Sequence, residues 1–98
     1  MIRSFADRLT EDIWNDVENK RTRKIESSVR ERARDKMAML DMAEKVEALR
    51  QPPSNRLERL GGKLKDFFSI RVNDQWRIIF QWEETEANAY QVRFTDYH

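Results

Sequence analysis

The sequence predicts a two-layer α+β domain in which N-terminal helices pack on a small, twisted, mainly antiparallel sheet. Apolar residues recur at steps of three or four before Pro52-Pro53, as they do along one face of a helix. After Arg56 the apolar period becomes two, which is typical of strands with one buried face. Because the chain has only 98 residues, we expect one domain spanning 1–98.

The composition is that of a globular protein. Charged residues make up 38% of the chain, but three Trp, five Phe and four Met argue against disorder. The absence of Cys excludes disulfides and thiolate metal sites, and we expect neither a metal nor a cofactor. No apolar run resembles a signal peptide or approaches the roughly 20 residues of a membrane helix, so we expect a cytoplasmic protein without membrane contact.

The helical half contains three predicted elements. Ile2–Phe5 alternates in polarity and is predicted to form a first edge strand. Thr10 is predicted to cap a short first helix, because acidic residues follow it directly. A long apolar stripe indicates the main helical region, which is either one helix or two helices with a bend near Met42. The stripe consists of Ile25, Val29, Ala33, Met37, Leu40, Ala43 and Val46. Pro52-Pro53 is predicted to end this half.

The second half is predicted to form strands. Arg56–Leu60 is a short candidate strand that ends at Gly61-Gly62. Three further strands follow, and Asn73-Asp74 is typical of a tight hairpin turn that needs positive φ angles. An acidic loop at residues 83–88 separates the last two strands. The residues predicted to face the helices are Phe68, Ile70, Val72, Trp76, Ile78, Phe80, Trp82, Tyr90, Val92 and Phe94.

The opposite face of this sheet is predicted to carry arginines. Alternation places Arg71, Arg77 and Arg93 there, one on each of three neighbouring strands. The planar guanidinium group matches phosphate oxygens, so the three could bind a phosphate, with Lys63 and Lys65 in the preceding loop. The alternative is that these arginines are ordinary solvated residues.

A second basic feature lies between Lys20 and Lys36, where eight basic residues accompany three acidic ones. Such a segment could bind RNA phosphates or an acidic partner. It could equally be a solvated helix face with incidental ion pairs.

The chain closes on Asp96-Tyr97-His98, directly after the last predicted strand. His98 is the single histidine, and imidazole, with an unperturbed pKa of roughly 6.5, can both take and give a proton near neutral pH. Alternation assigns Asp96 to the helix side of the sheet, where an arginine or His98 could pair with it. The alternative is a frayed tail without function.

Several of these segments together resemble a known family. Three segments strongly resemble the HigB toxins: the run from Pro52 to Leu60, the block from Phe68 to Ile78 and the closing Asp96-Tyr97-His98. The HigB toxins form the host-killer branch of the RelE-like superfamily of type II toxin–antitoxin systems. The segments Ile2–Phe5 and Thr10–Ile13 resemble the same family, so the similarity covers most of the chain.

The resemblance implies a microbial-RNase-like fold and a specific activity. Members are ribosome-dependent endoribonucleases that cut messenger RNA in the ribosomal A site and thereby inhibit translation. A helix-turn-helix antitoxin, HigA, neutralises them. The toxin–antitoxin complex represses its own operon, which implies that the toxin reaches operator DNA only through that complex.

The resemblance also suggests residue roles. Arg77 matches the sheet arginine of the family, and Asp96, Tyr97 and His98 match its C-terminal functional group. The expected RNA or phosphate contacts are Arg56, Lys63, Lys65, Arg71 and Arg93. Some members carry a histidine and a lysine where this chain has Glu58 and Gly61, and Lys63 or Lys65 could substitute from the loop.

Cleavage of RNA without a metal requires a base for the 2′-OH, cations for the crowded phosphate and an acid for the departing 5′-oxygen. In our interpretation Arg77 binds the phosphate, assisted by Arg71 or a loop lysine. His98 is the acid or base, Asp96 orients it, and Tyr97 donates a hydrogen bond or stacks on a base. The alternatives are an RNA- or ribosome-binding module without catalysis and a domain that only pairs with the antitoxin.

Overall fold

The computed structural model describes residues 1–96. These residues form two helices packed on one antiparallel sheet with strand order β1-β2-β3-β4. The helices are α1 (Arg8–Trp14) and α2 (Ser27–Met42), and the strands are β1 (Glu58–Arg59), β2 (Phe67–Arg71), β3 (Trp76–Glu83) and β4 (Asn88–Asp96). The predicted two-layer α+β fold is therefore confirmed.

Helix α1 is short, as predicted, but its N-cap is Asp7 and the prediction of Thr10 was wrong. Oδ1 of Asp7 accepts hydrogen bonds from the Thr10 main-chain N–H at 2.9 Å and from Thr10 Oγ1 at 2.6 Å. Thr10 is fully buried in the first turn. Its hydroxyl oxygen accepts a hydrogen bond from the Phe94 N–H of β4, so this side chain joins the helix to the sheet.

Helix α2 ends at Met42, so of the two alternatives the structure has the break near Met42 and not one continuous helix. Its buried face carries Ala33, Met37 and Leu40. After Ala43 the chain forms a 3-10 segment, Val46–Arg50, whose Val46 and Leu49 continue the same apolar stripe into the core. One further 3-10 turn, Pro53–Asn55, follows the prolines that were predicted to end the helical half.

The core lies between the helices and the predicted apolar face of the sheet. Ile70, Ile78 and Phe80 have no exposed surface. The rings of Trp76 and Phe94 stack with centroids 4.4 Å apart. Full burial of side chains of this size stabilises a fold by roughly 1.5–3 kcal/mol each, so this face supplies much of the driving force for folding.

The turn between β2 and β3 lies at the predicted residues but has a different conformation. Oδ1 of Asn73 accepts hydrogen bonds from the N–H groups of Gln75 at 2.9 Å and Trp76 at 2.8 Å. The non-glycine residues with positive φ in the described chain are Asp16, Arg56, Ala87 and Gln91. The expected positive φ at Asn73 or Asp74 was wrong, because the Asn73 side chain satisfies the turn amides instead.

Strand β4 contains a bulge that reverses its alternation. Ile79 pairs with Arg93, whereas Gln81 pairs with Tyr90, so β4 holds one extra residue opposite Phe80. Gln91 occupies the bulge with a φ of 54°. Tyr90, which was predicted to face the helices, is consequently exposed, and this part of the prediction was wrong.

The N-terminal segment covers the outer edge of β4. Ile2 and Phe5 form parallel bridges to Ala89 and Val92, so the predicted edge strand is reduced to two isolated contacts. The Ala6 N–H donates to the Val92 carbonyl at 2.9 Å. Such coverage protects an edge that would otherwise pair with another chain.

Strand β1 is shorter than the predicted Arg56–Leu60. Only Glu58 and Arg59 pair with β2, opposite Ser69 and Phe68. Arg56 has left-handed backbone angles, with φ 45° and ψ 57°, and therefore cannot extend the strand. Within residues 1–96, neither helix is long and apolar enough to cross a membrane.

Candidate active site

Arg77 lies near the start of β3 on the face that points away from the helices. Its backbone pairs with Arg71 of β2 and Thr95 of β4. The side chain is half-buried. Nε donates a hydrogen bond of 2.9 Å to Ser69 Oγ, and Nη2 donates one of 2.9 Å to the Arg56 carbonyl. Two neutral acceptors therefore orient this guanidinium while its positive charge stays available to an anion.

The other two sheet arginines have carboxylate partners. Arg71, directly across from Arg77, forms an ion pair with Asp74 of the hairpin turn. Nε of Arg93 lies 3.5 Å from Oδ2 of Asp7, and the Arg93 side chain is 54% exposed. The register does bring all three arginines to one face, but a phosphate would compete with a carboxylate at two of them. Their phosphate contacts stay a prediction.

Asp96 is the last described residue and lies at the same end of the sheet as Arg77. It ends β4 opposite Trp76, and its carboxylate is exposed. Oδ2 accepts a hydrogen bond of 3.0 Å from Gln75 Nε2. The predicted catalytic residues Tyr97 and His98 lie outside the described residues.

The loop lysines lie near the first residue of β2, whereas Arg77 pairs with Arg71, the last residue of that strand. Lys63 belongs to the turn Gly62–Leu64, and Lys65 follows it; both are exposed. This loop enters β2 at Phe67, which pairs with Gln81, whereas Arg77 is four residues away along β3. Four residues of strand correspond to roughly 13 Å, so the structure does not bring these lysines next to the guanidinium.

Arg56, one of the predicted RNA contacts, directly reaches Arg77. The contact is made by its main-chain carbonyl, while its side chain is exposed. The hydroxyl of Ser69 is the functional group that the sequence argument missed. Alternation alone places Ser69 on the arginine face, but only the strand register reveals that it lies within reach of Arg77.

A groove of about 340 Å³ opens at the same end of the sheet. The indole of Trp76 and the side chains of Asn73 and Gln75 form one wall, and the segment around Lys24 and Val29 forms the other. Since Gln75 also holds Asp96, the groove adjoins the end of β4. Its mixed apolar and polar lining can accommodate a planar, hydrogen-bonding group.

Part of the basic segment between Lys20 and Lys36 is used inside the molecule. Three of its arginines form ion pairs with carboxylates of α1 and the following turn. These pairs are Arg21–Asp12 at 3.3 Å, Arg30–Glu18 at 3.7 Å and Arg34–Asp16 at 3.2 Å. Lys20, Arg23, Lys24 and Arg32 are exposed, so a smaller basic surface remains for a partner.

Asp12 organises the connection between the two helices. Its carboxylate accepts hydrogen bonds from Asn19 Nδ2 at 2.8 Å and Arg21 Nη2 at 3.3 Å. The Asn19 hydrogen bond, and secondarily the Arg21 guanidinium, lower the pKa of Asp12 below its usual value of 3.8, against the opposing effect of burial. This network fixes the loop that leads to one wall of the groove.

Comparison with known proteins assigns the family. The family model described as the RelE-like toxin of the type II toxin–antitoxin system HigB matches residues 3–98. The chain belongs to the HigB-like toxins. It is 44% identical to Toxin HigB-1 of Vibrio cholerae serotype O1 over 91 residues, which cover 92% of this chain and 94% of that protein. An uncharacterised protein of Haemophilus influenzae is 43% identical over 53 residues, covering 54% of this chain and 52% of that protein.

Membership in the HigB-like family gives the described geometry a context. The chain is a toxin of a type II toxin–antitoxin system, and an antitoxin partner follows from that class. Among residues 1–96, no cluster of three or more His, Asp or Glu side chains could hold a metal ion. At one end of the sheet the structure places an oriented guanidinium on the outer face, and a carboxylate and a mixed groove on the helix face.

Proposed function

We propose that this HigB-like toxin is a ribosome-dependent endoribonuclease that cleaves messenger RNA in the ribosomal A site. The observation that carries the proposal is the anchoring of Arg77 by Ser69 Oγ and the Arg56 carbonyl. A guanidinium held in this way is preorganised for the extra negative charge of a phosphate in the transition state. The end of β4 brings Asp96 to the same end of the sheet, although on the helix face, so the substrate would have to reach around this end of the sheet.

The proposed reaction is attack of a ribose 2′-oxygen on the adjacent phosphorus. Arg77 stabilises the phosphate oxygens, with Arg71 assisting once Asp74 is displaced. His98 either takes the proton of the 2′-OH or gives a proton to the leaving 5′-oxygen, a group of the ribosome or a water molecule transfers the other proton, and Asp96 orients the imidazole. Breaking the P–O5′ bond leaves a 2′,3′-cyclic phosphate and a 5′-hydroxyl, and no metal ion takes part in the proposed step. Tyr97 donates a hydrogen bond or stacks on a base.

The proposed partners follow from this reaction and from the family. A HigA-like helix-turn-helix antitoxin blocks the toxin, and contact with operator DNA occurs through the complex of the two. The ribosome and translated mRNA are the substrate assembly, and the proposed location is the cytoplasm. The exposed basic residues Lys20, Arg23, Lys24 and Arg32 supply a surface for RNA phosphates or for an acidic partner.

The test is induction of the chain in growing bacteria, with primer-extension mapping of one translated transcript and of the same transcript with its start codon removed. We expect growth arrest and cuts only in the translated RNA. A matched His98→Ala variant, expressed to the same level, should lose the cuts and retain antitoxin binding. Cutting of the untranslated transcript would contradict ribosome dependence. Normal cutting by His98→Ala would remove His98 from the mechanism, and antitoxin binding without any cutting by the parent would favour an inactive binding module.

A further inference from the structure

Lys36 belongs to the basic residues of α2, but its ammonium group contacts the protein interior. Nζ donates a hydrogen bond of 2.6 Å to Oδ1 of Asn55, a side chain with no exposed surface. Partial burial, and secondarily the nearby Arg32, lower the pKa of Lys36. A lysine on a surface helix ordinarily extends its ammonium into water, so this contact with a buried amide calls for a specific explanation.

The Asn55 side chain joins its own turn to two other parts of the chain. Its Oδ1 binds α2 through Lys36, and its Nδ2 donates to the carbonyls of Leu49 at 3.2 Å and Gln51 at 3.3 Å. These carbonyls belong to the end of the 3-10 segment Val46–Arg50 and to the residue after it. Asn55 thus fixes the position of the chain immediately before Arg56.

Arg56 adopts a backbone conformation that its surroundings must hold. The left-handed region is unfavourable for a residue with a Cβ atom, so it persists where neighbouring contacts determine it. The Arg56 N–H donates to the Pro53 carbonyl at 3.0 Å. Its own carbonyl accepts the Arg77 Nη2 hydrogen bond at 2.9 Å. The direction of that carbonyl therefore depends on the turn that Asn55 fastens.

We propose that Lys36 is a positioning residue for Arg77, acting through Asn55 and the Arg56 carbonyl. The contacts form an unbroken chain from the middle of α2 to the guanidinium, and each link is a hydrogen bond or one covalent step. Without the Lys36 ammonium, the buried Asn55 oxygen lacks its donor, and the turn relaxes toward a form that moves the Arg56 carbonyl. This inference rests on the proposed role of Arg77 in cleavage.

The test is a double-mutant cycle on cleavage of a translated transcript. Lys36→Met removes the ammonium at similar side-chain length, and Lys45→Met, at an exposed lysine just after α2, is the matched control. We expect Lys36→Met to slow cleavage roughly 10- to 100-fold, the range of a displaced catalytic group. Lys45→Met should change the cleavage rate by less than about threefold. In the Arg77→Ala background, Lys36→Met should have less than about a twofold effect, because the group it positions is gone.

A second measurement, which does not depend on cleavage activity, accompanies the double-mutant cycle. The Nε–Hε resonance of Arg77, assigned by its disappearance in Arg77→Ala, should shift in Lys36→Met and stay in place in Lys45→Met. An unshifted resonance, or equal slowing by Lys36→Met in both backgrounds, would overturn the proposal. If Lys36→Met does not fold, Lys36→Gln replaces it, and failure of both to fold would overturn the proposal by assigning Lys36 to folding. Failure of the proposed function appears separately, as a parent protein that does not cut or an Arg77→Ala variant that cuts normally.

Discussion

The main-chain N–H of Phe94 donates a hydrogen bond of 2.8 Å to Oγ1 of Thr10, which lies in the first turn of α1. The N-terminal segment covers the outer edge of β4 only as far as Val92. Thr10 therefore supplies the next partner along that edge, two residues before Asp96. A helix side chain takes the place of a neighbouring strand there, and it does so close to the proposed catalytic tail.

Thr10→Val should destabilise the protein strongly, although it only replaces a hydroxyl group with a methyl group. The valine cannot accept the Phe94 hydrogen bond, and a buried N–H left unpaired costs about 1–3 kcal/mol. Urea unfolding at neutral pH measures the loss. Thr10→Ser keeps the hydroxyl and should lose less. Thr85→Val, in the exposed loop before β4, is the matched control and should change stability by less than about 0.5 kcal/mol.

Arg77→Lys should impair cleavage although it keeps the charge. A lysine cannot donate to Ser69 and to the Arg56 carbonyl at once in the planar geometry of a guanidinium. We expect a loss of about 10- to 100-fold in the cleavage rate of a translated transcript, since misplacing a catalytic group has effects of that order. Arg93→Lys is the control, because Arg93 is exposed and pairs with Asp7. Equal rates for the two variants would contradict the special role of Arg77.

Asp12→Asn should lower stability at neutral pH, and the deficit should shrink in acid. The folded-state pKa of Asp12 is lowered by the Asn19 hydrogen bond, so its stabilisation is present above the usual value of 3.8 and is lost as the pH falls through the folded-state pKa. Urea midpoints of parent and variant at pH 7 and pH 3 test this. The control is Asp16, whose side chain is 73% exposed. Asp16→Asn should differ little in stability from the parent at both pH values. A stability deficit of Asp12→Asn that grows in acid would contradict a lowered pKa for Asp12 in the folded protein.

Gln91 should tolerate glycine better than valine. Its φ of 54° is accessible to Gly without strain, whereas the left-handed region costs residues with a Cβ roughly 1–2 kcal/mol and is worst for β-branched ones. Gln91→Val should lower the Tm by several degrees, since 1 kcal/mol corresponds to about 4–8 °C in a domain of this size. Gln91→Gly should match or exceed the parent. The same change to valine at Gln81, within β3, should be nearly neutral, and a loss there equal to that at Gln91 would argue against the bulge.

Residue alternation predicted much of the sheet because one face of it is buried. Phe68, Ile70, Ile78 and Phe80 lie where the period of two places them. Tyr90 does not, because a rule of strict alternation cannot detect one extra residue in β4. The extra residue becomes visible only when the register with β3 is known.

The helix cap and the surroundings of Arg77 required tertiary information. Asp7 and Thr10 are both good N-cap residues. The Thr10 hydroxyl accepts the Phe94 N–H hydrogen bond from within the first turn, and Asp7 is the N-cap. The arginine face could be predicted from the sequence. The Arg77 contacts could not, because they depend on the left-handed backbone at Arg56, and no local sequence pattern predicts that conformation. The proposed roles of Tyr97 and His98 still rest on the resemblance and on the chemistry of their side chains.

The bulge at Gln91 restricts how β4 can be altered in length. On its hairpin side the strand buries an odd-numbered residue, Ala89, and on its other side the even-numbered Val92 and Phe94. Deleting one residue between them would turn one of these two groups toward solvent. An engineer who wishes to insert an epitope or a label should therefore choose the exposed residues 84–86 and keep the residue count of β4 unchanged.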